Sequence, residues 1–276
     1  MKILVADPAK NITVFVLEPV EGRGERTVMA QTIMADDRIR AEQVGFVIPP
    51  AKSASGTELW RLEMAGDEFC CNASRSFGLY VAGMKGLRGR NKIFVSVSGM
   101  ENPVQVEVDT ENGWAACEMP RPALVETLNY NGFLLPVLGF DGITHIIAPD
   151  LEPARESFFI IKALLEKKFS GITGSPFSAI GVMFYDTFSR FMRPAVYLRA
   201  TDALVFESSC GSGSAALGAW LSRELQDGVA KYAINQPGGV IETEVVKKAG
   251  EISFISIGGK VEFGKPEEFF FARPIP

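Results

Sequence analysis

The 276-residue sequence predicts an α+β fold of two pseudo-symmetric halves, each a mixed β-sheet wrapped around a central α-helix. Two observations carry that prediction. The segments Phe69-Cys70-Cys71-Asn72-Ala73-Ser74-Arg75 and Ser209-Cys210-Gly211-Ser212-Gly213-Ser214 each put a cysteine at the mouth of a small-residue turn that runs into an apolar, helix-compatible stretch. With Cys70 laid on Cys210 they also match at Ser74 and Ser214, Phe77 and Leu217, Gly78 and Gly218, Tyr80 and Trp220. The chain ahead of each cysteine is similar as well: Asn11 to Cys70 is nearly as long as His145 to Cys210. One thiol at a helix start can arise by accident; two in copied segments predict one reactive sulfur per half.

The elements follow in order. Met1 to Asp7 opens the chain as a buried strand, and Asn11 to Leu17, Arg26 to Met34 and Lys92 to Ser98 are β-branched or aromatic runs predicted as strands. Glu58 to Met64 and Val104 to Val108 alternate apolar and polar residues with period two, the strand signature. Ala65-Gly66-Asp67 then leads to Cys70, and a helix is predicted from Asn72 to Met84 with Phe77, Val81 and Met84 on one face. Pro120 and Pro122 interrupt both ladder and helix, so the halves are predicted at 1–120 and 121–264, with a last strand at about 265–276 returning to the first half. In the second half Gly142 to Ala148 is a strand and Glu152 to Phe169 an amphipathic helix with Phe158, Ile161, Leu165 and Phe169 inward. Ala179 to Tyr185, Ala195 to Arg199 and Ala203 to Phe206 are strands, and a helix runs from Cys210 to about Gln226. Gln236-Pro237-Gly238-Gly239 is a turn before a hairpin of Val240 to Val246 and Ile252 to Ile257.

Composition removes several function classes. A net charge of −5 without any Lys/Arg run argues against a nucleic-acid partner. No apolar stretch approaches the roughly 18 residues of a membrane span, and the amino terminus lacks a signal-type run, so a cytoplasmic protein is expected. The four cysteines, Cys70, Cys71, Cys117 and Cys210, are then expected as free thiols. His145 is the single histidine and no CxxC pair occurs, so no metal site is expected. No cofactor motif is present either.

The chemistry expected of the two thiols follows from their position. Unpaired N–H groups and the positive dipole end at a helix start favour thiolate, and attract a substrate carboxylate to the same place. Two such helices pointing at each other would hold a carboxylate between them with a sulfur on each face of the adjacent carbon. One sulfur removes the α-proton and the other delivers one from the opposite side. A carbanionic transition state needs large stabilisation: each placed donor supplies roughly 2.7–4 kcal/mol, and orientation about 7–11 kcal/mol. Several amides from two helix ends reach that order without a cofactor.

These residues resemble the diaminopimelate epimerase fold group of cofactor-independent amino-acid racemases and epimerases. Cys70-Cys71-Asn72-Ala73-Ser74-Arg75 matches its Cys-Gly-Asn-Gly-x-Arg motif, and Cys210-Gly211-Ser212-Gly213 its Cys-Gly-Thr/Ser-Gly motif. Asn11, Gln43, His145 near an Asn-Pro-His site, and the Pro237-Gly238-Gly239 turn fall in the same order. The resemblance implies Cys70 and Cys210 as catalytic bases. It implies Asn11, Gln43, Cys71, Asn72, Ala73, His145, Glu207, Gly211 and Ser212 as the substrate-binding set, a small amino acid as the partner, and a chain compatible with a homodimer.

The departures are equally informative. Diaminopimelate epimerases carry a Glu-Arg-Gly run before the second cysteine, whose arginine holds the distal carboxylate; here the stretch reads Thr201-Asp202-Ala203. Gly181 and Thr144-His145 stand where donors to the distal head are expected. Without those donors a second charged head would be buried unpaired, so diaminopimelate is disfavoured. Asn11-Ile12-Thr13, Glu42-Gln43-Val44-Gly45-Phe46 and Glu207-Ser208-Ser209-Cys210 look more like the histidine racemase branch, making histidine the leading substrate. The competing readings are diaminopimelate epimerase proper, an isomerase or hydrolase of the same fold without thiol chemistry, and a redox or binding protein using the two thiols. Cys71 and Cys117 also read as core residues, and Arg75 as a structural one.

Overall fold

Alternating and β-branched runs become strands along most of the chain. The computed structural model describes residues 1–50, 59–170 and 177–271; Glu58, the predicted start of one strand, lies outside the described residues. The chain divides into two units, one formed by Met1–Glu118 with the chain from Gly258 onward, the other by Met119–Ile257. The architecture is a sheet-rich α+β one, with four α-helices among the described residues.

In the first unit β1 (Lys2–Asp7) pairs antiparallel with β2 (Thr13–Val16). Helix α1 (Arg23–Met34) crosses to β3 (Gln43–Ile48), which lies parallel to β2, and β4 (Arg61–Met64) returns antiparallel to β3. Helix α2 (Cys71–Met84) follows, then β5 (Arg90–Val97), β6 (Val104–Asp109) and β7 (Trp114–Glu118) as an antiparallel meander, with β5 parallel to β4. Residues Cys71 to Leu79 are all buried, and α2 packs on β5, β6 and β7. Phe15 meets Phe77 edge to face at 5.9 Å.

The predicted strand at Arg26 to Met34 is a helix instead. Met29, Ala30 and Ile33 are buried at helical spacing, and the Thr27 and Thr32 hydroxyls donate to the Arg23 and Val28 carbonyls one turn back. Those threonines, counted as β-formers, satisfy helix carbonyls, and the tertiary packing of one apolar stripe decides the outcome.

The second unit begins with β8 (Leu124–Tyr130) and β9 (Phe133–Phe140), an antiparallel hairpin over Asn131-Gly132, both at positive φ as a type I′ turn requires. Next, β10 (Ile143–Pro149) pairs antiparallel with β9. Helix α3 (Arg155–Lys168) buries Phe158, Ile161 and Leu165 as predicted, and β11 (Ala179–Asp186) returns parallel to β10. The antiparallel β12 (Phe191–Leu198) and β13 (Ala203–Phe206) lead to α4 (Gly211–Leu221).

Helix α4 stops short of the predicted Gln226. The buried Lys247 ammonium donates to the Ser222 and Arg223 carbonyls and satisfies the helix end from a distant strand, a signal absent from the local sequence. Strand β15 (Gly239–Lys248) pairs antiparallel with β14 (Gly228–Gln236) across the Pro237-Gly238 turn; β14, like β7, β8 and β9, is not among the strands expected from the sequence. Strand β16 (Glu251–Lys260) follows across Ala249-Gly250 and carries the chain back to the first unit. There β17 (Glu262–Phe263) and β18 (Glu267–Glu268) pair antiparallel with β1.

Candidate active site

Cys70 is the N-cap of α2, in extended conformation, with its sulfur accepting from the Ala73 N–H at 3.4 Å. The Ser74 amide and hydroxyl both donate back to the Cys70 carbonyl, at 2.9 and 2.8 Å, fixing the entry into the helix. A polar chain lies beside it. Asn72 Nδ2 donates to Asn11 Oδ1 at 3.1 Å, Gln43 Nε2 reaches the same oxygen at 3.5 Å, and Asn11 Nδ2 donates to Glu42 Oε2 at 2.6 Å. Gln43 Oε1 is buried without a hydrogen-bond partner among the described residues. The structure therefore brings Asn11, Gln43, Asn72 and Ala73 together with Cys70. Burial raises the Glu42 carboxyl above its usual range, opposed by the Asn11 hydrogen bond.

Cys71 points the other way, its thiol donating to the Cys117 carbonyl at 3.6 Å inside the core. Burial, with Cys117 beside it, drives that thiol well up. Arg75 is fully buried; its Nη1 donates to the Gly259 and Ala115 carbonyls and its Nε to Asn72 Oδ1 at 3.1 Å. It is a strut that holds the Asn72 amide in place.

Cys210 is the N-cap of α4 and is 6% exposed. Its N–H donates to Gln236 Oε1 at 2.8 Å, Gln236 Nε2 donates to Ser214 Oγ at 2.9 Å, and Ser214 Oγ donates to the Cys210 carbonyl at 2.6 Å, closing a ring around the helix start. The sequence marked Gln236 only as part of a turn; its amide clamps the cysteine backbone. The Cys210 sulfur lies 3.6 Å from Ser212 Oγ, which lies 2.9 Å from His145 Nε2. A Cβ at Gly213 would stand 2.2 Å from Met183 Sδ and 3.2 Å from the Cys210 sulfur, so any larger residue would force the buried Met183 side chain to shift. His145, Glu207, Gly211 and Ser212 are thus gathered around Cys210, with the Glu207 carboxylate acting on its sulfur.

The expected low thiol pKa does not hold in the free protein. Burial pushes the Cys70 thiol up to about 11, against the Ala73 N–H and the Gln43 side chain, which favour thiolate. Burial and then the Glu207 charge drive Cys210 well up, opposed by the Gly213 N–H and the Ser212 hydroxyl. Desolvation of a sulfur anion outweighs one or two N–H groups at a helix end. His145 is lowered to about 3 by burial and is therefore neutral at ordinary pH.

Asp202 accepts from the Tyr197 hydroxyl at 2.6 Å and Arg199 is bound to Glu166, so the Thr201-Asp202-Ala203 stretch offers no spare cation for a distal carboxylate. Among the described residues no cluster fit to hold a metal ion occurs, and no helix is long and apolar enough to cross a membrane.

This fold is that of racemases and epimerases. A solved structure described as a predicted epimerase from Pseudomonas aeruginosa is similar, with a TM-score of 0.66 at 11% identity, over 98% of this chain and 99% of that one. The particular family is shown by sequence: residues 1–265 match the model described as the histidine racemase CntK N-terminal domain. A histidine racemase of Fusobacterium nucleatum is 31% identical over 94% of this chain and 95% of its own. A histidine racemase of Staphylococcus aureus is 26% identical over 85% of each. The chain belongs to the histidine racemase family and is an amino-acid racemase, an isomerase.

Proposed function

We propose that this protein racemises free histidine without pyridoxal phosphate, using Cys70 and Cys210 as its two bases. The observation that carries the reading is that each thiol occupies the N-cap of a helix heading its own unit's copy of one motif. We also read the two units as pseudo-symmetric: each runs an antiparallel strand pair, a helix, a strand parallel to the previous one, and a return strand ahead of its cysteine helix, with β13 as an addition in the second unit.

In the proposed step one sulfur, as thiolate, takes the α-proton from one face, and the other, as thiol, gives its proton to the opposite face. Turnover leaves the two sulfurs with protonation exchanged, so no proton is gained or lost. The raised thiols fit this scheme. A bound amino acid brings an α-ammonium, a counter-charge that favours thiolate beside it. Backbone N–H groups of Asn72, Ala73, Gly211 and Ser212, at the two helix starts, are the donors assigned to the α-carboxylate and its developing charge. Asn11, Gln43 and Glu207 remain for the ammonium and the side chain. Gly181 and the occupied Asp202 argue for a substrate with a single charged head. Keeping four free thiols reduced also fits the cytoplasm.

The test is a panel of L-amino acids in D2O, scored by NMR for loss of the α-proton and by chiral chromatography for the D-enantiomer, with no added cofactor. Histidine should be turned over fastest. Turnover that requires pyridoxal phosphate, or diaminopimelate turned over faster than every simple amino acid, would sink this reading.

A further inference from the structure

His145 sits at the end of a short polar path that stops at the Cys210 sulfur. The parallel register of β10 and β11 sets His145 beside Gly181, and a Cβ at 181 would stand 2.3 Å from His145 Nδ1. The ring is fully buried, with the Phe140 ring edge-on to it at 6.0 Å. Its Nε2 meets Ser212 Oγ at 2.9 Å, and its Nδ1 is buried with no hydrogen-bond partner among the described residues.

That orphan nitrogen decides the tautomer. A neutral imidazole carries one N–H, and a buried N–H without an acceptor costs more than a buried lone pair without a donor. The proton therefore belongs on Nε2, which donates to Ser212 Oγ. The serine oxygen is then engaged as an acceptor, and its own proton is left for the other neighbour, the Cys210 sulfur 3.6 Å away. We propose that His145 is a positioning residue for Cys210, its Nε2–H holding the Ser212 hydroxyl as a donor aimed at the sulfur. The path favours the thiolate form and offsets the Glu207 carboxylate, the charged group that acts on Cys210 from the β13 side. Glu207 is the charged group that acts on this sulfur, and His145 reaches it only through the Ser212 hydroxyl. Gly181 is part of the device, since a side chain there displaces the ring.

The inference rests on Cys210 being one of the two bases, yet its test does not need turnover. The ultraviolet absorbance of the thiolate is titrated in each protein and in its Cys210→Ser counterpart, and the difference isolates Cys210. Ser212→Ala should lower the thiolate-to-thiol ratio of Cys210 at fixed pH by about tenfold or more, the weight of one hydrogen bond to a charged group. Ser212→Thr, which keeps the hydroxyl, should restore it. His145→Phe and Gly181→Ala, which leave the serine in place, should lower the ratio in the same direction. An unmoved midpoint in Ser212→Ala overturns the path, and so does a midpoint that moves in Ser212→Ala but stays put in both His145→Phe and Gly181→Ala. Loss of activity with every midpoint unchanged means a merely structural role and overturns it as well. A wild type that racemises nothing while the midpoints shift as stated would sink the functional reading and leave this one standing.

Discussion

The starts of α2 and α4 carry the same cysteine in the same N-cap geometry, yet their surroundings differ. Cys70 is half-buried, bonded to an N–H of its own helix, and flanked by the neutral amides of Asn11, Gln43 and Asn72. Cys210 is more deeply buried, is clamped through its backbone by Gln236, and faces the Glu207 carboxylate. Position in the helix gives both sulfurs the same role, and the neighbours set how readily each gives up a proton. In the free protein burial raises both thiols, and at Cys210 the Glu207 carboxylate adds to that rise, so that sulfur holds its proton against a nearby negative charge. The two sulfurs are copies in geometry and unequal in electrostatics.

The harshest way to break the comparison is to remove one sulfur at a time. Cys70→Ser and Cys210→Ser should each reduce racemisation by about 10²–10⁴-fold, the weight of a positioned acid or base. Each should retain α-proton exchange from one enantiomer only, and from opposite enantiomers in the two variants. Chiral chromatography and NMR in D2O read both quantities. Full racemisation by either variant would break the two-base assignment.

A second difference lies one turn further along. Arg75 in α2 corresponds to Ala215 in α4, and both are fully buried. Arg75→Met removes the donor to the Gly259 and Ala115 carbonyls and to Asn72 Oδ1. The loss of charge-assisted bonds should destabilise the fold by about 3 kcal/mol. In α4 the ring of Gln236 and Ser214 takes over the bracing, so Gln236→Ala should cost about 1–3 kcal/mol. Denaturant midpoints measure both. A neutral Arg75→Met would mean that α2 is held without its guanidinium.

Much of this was legible in the residues. The paired Cys motifs located both helix starts, and the apolar period of Phe158, Ile161 and Leu165 located α3. The failures have physical causes. Arg26 to Met34 carries β-branched residues that favour a strand by propensity, while Met29, Ala30 and Ile33 have the helical spacing that the packing follows. Strands β8 and β9 fall outside the expected strands, although the Asn131-Gly132 dipeptide between them is a strong hairpin signal. The thiols are raised rather than lowered because a sequence reveals a helix start but not how much water the fold leaves around it. Gln236 and Lys247 act on α4 from strands that follow it, so local sequence cannot show them.

Gly78 and Gly218 sharpen the comparison from the packing side, since they are matched positions in the two motifs. A Cβ at 78 would stand 2.6 Å from Val106 Cγ1 on β6, and one at 218 would stand 2.5 Å from Thr243 Cγ2 on β15. Both helices lie against a strand at the point where the side chain is absent. Alanine gains up to about 1 kcal/mol in helix propensity, but the β-branched neighbours have little rotamer freedom with which to move. Gly78→Ala and Gly218→Ala should each therefore destabilise by roughly 1–3 kcal/mol. A stabilised variant at either site would show that its helix can lift from its strand, and the two units would then differ in packing as well as in charge.

The smallest expected effect tests the electrostatic asymmetry itself. Glu207 raises the Cys210 thiol both by its charge and by its hydrogen bond. Glu207→Gln removes the charge, so the Cys210 titration should fall, and more thiolate should be present at any pH below its midpoint. Cys70 has its own carboxylate neighbour in Glu68, which acts on it less than burial does, and its titration should not move. Site-resolved alkylation followed by mass spectrometry across a pH series reads each sulfur separately. Cys210 should react several-fold faster in the variant at fixed pH, by roughly the weight of one partly screened charge, while Cys70 keeps its wild-type rate. Racemisation should change unevenly, favouring the direction in which Cys210 is the base. If both sulfurs respond alike, their difference does not come from Glu207, and the deeper burial of Cys210 alone must account for it.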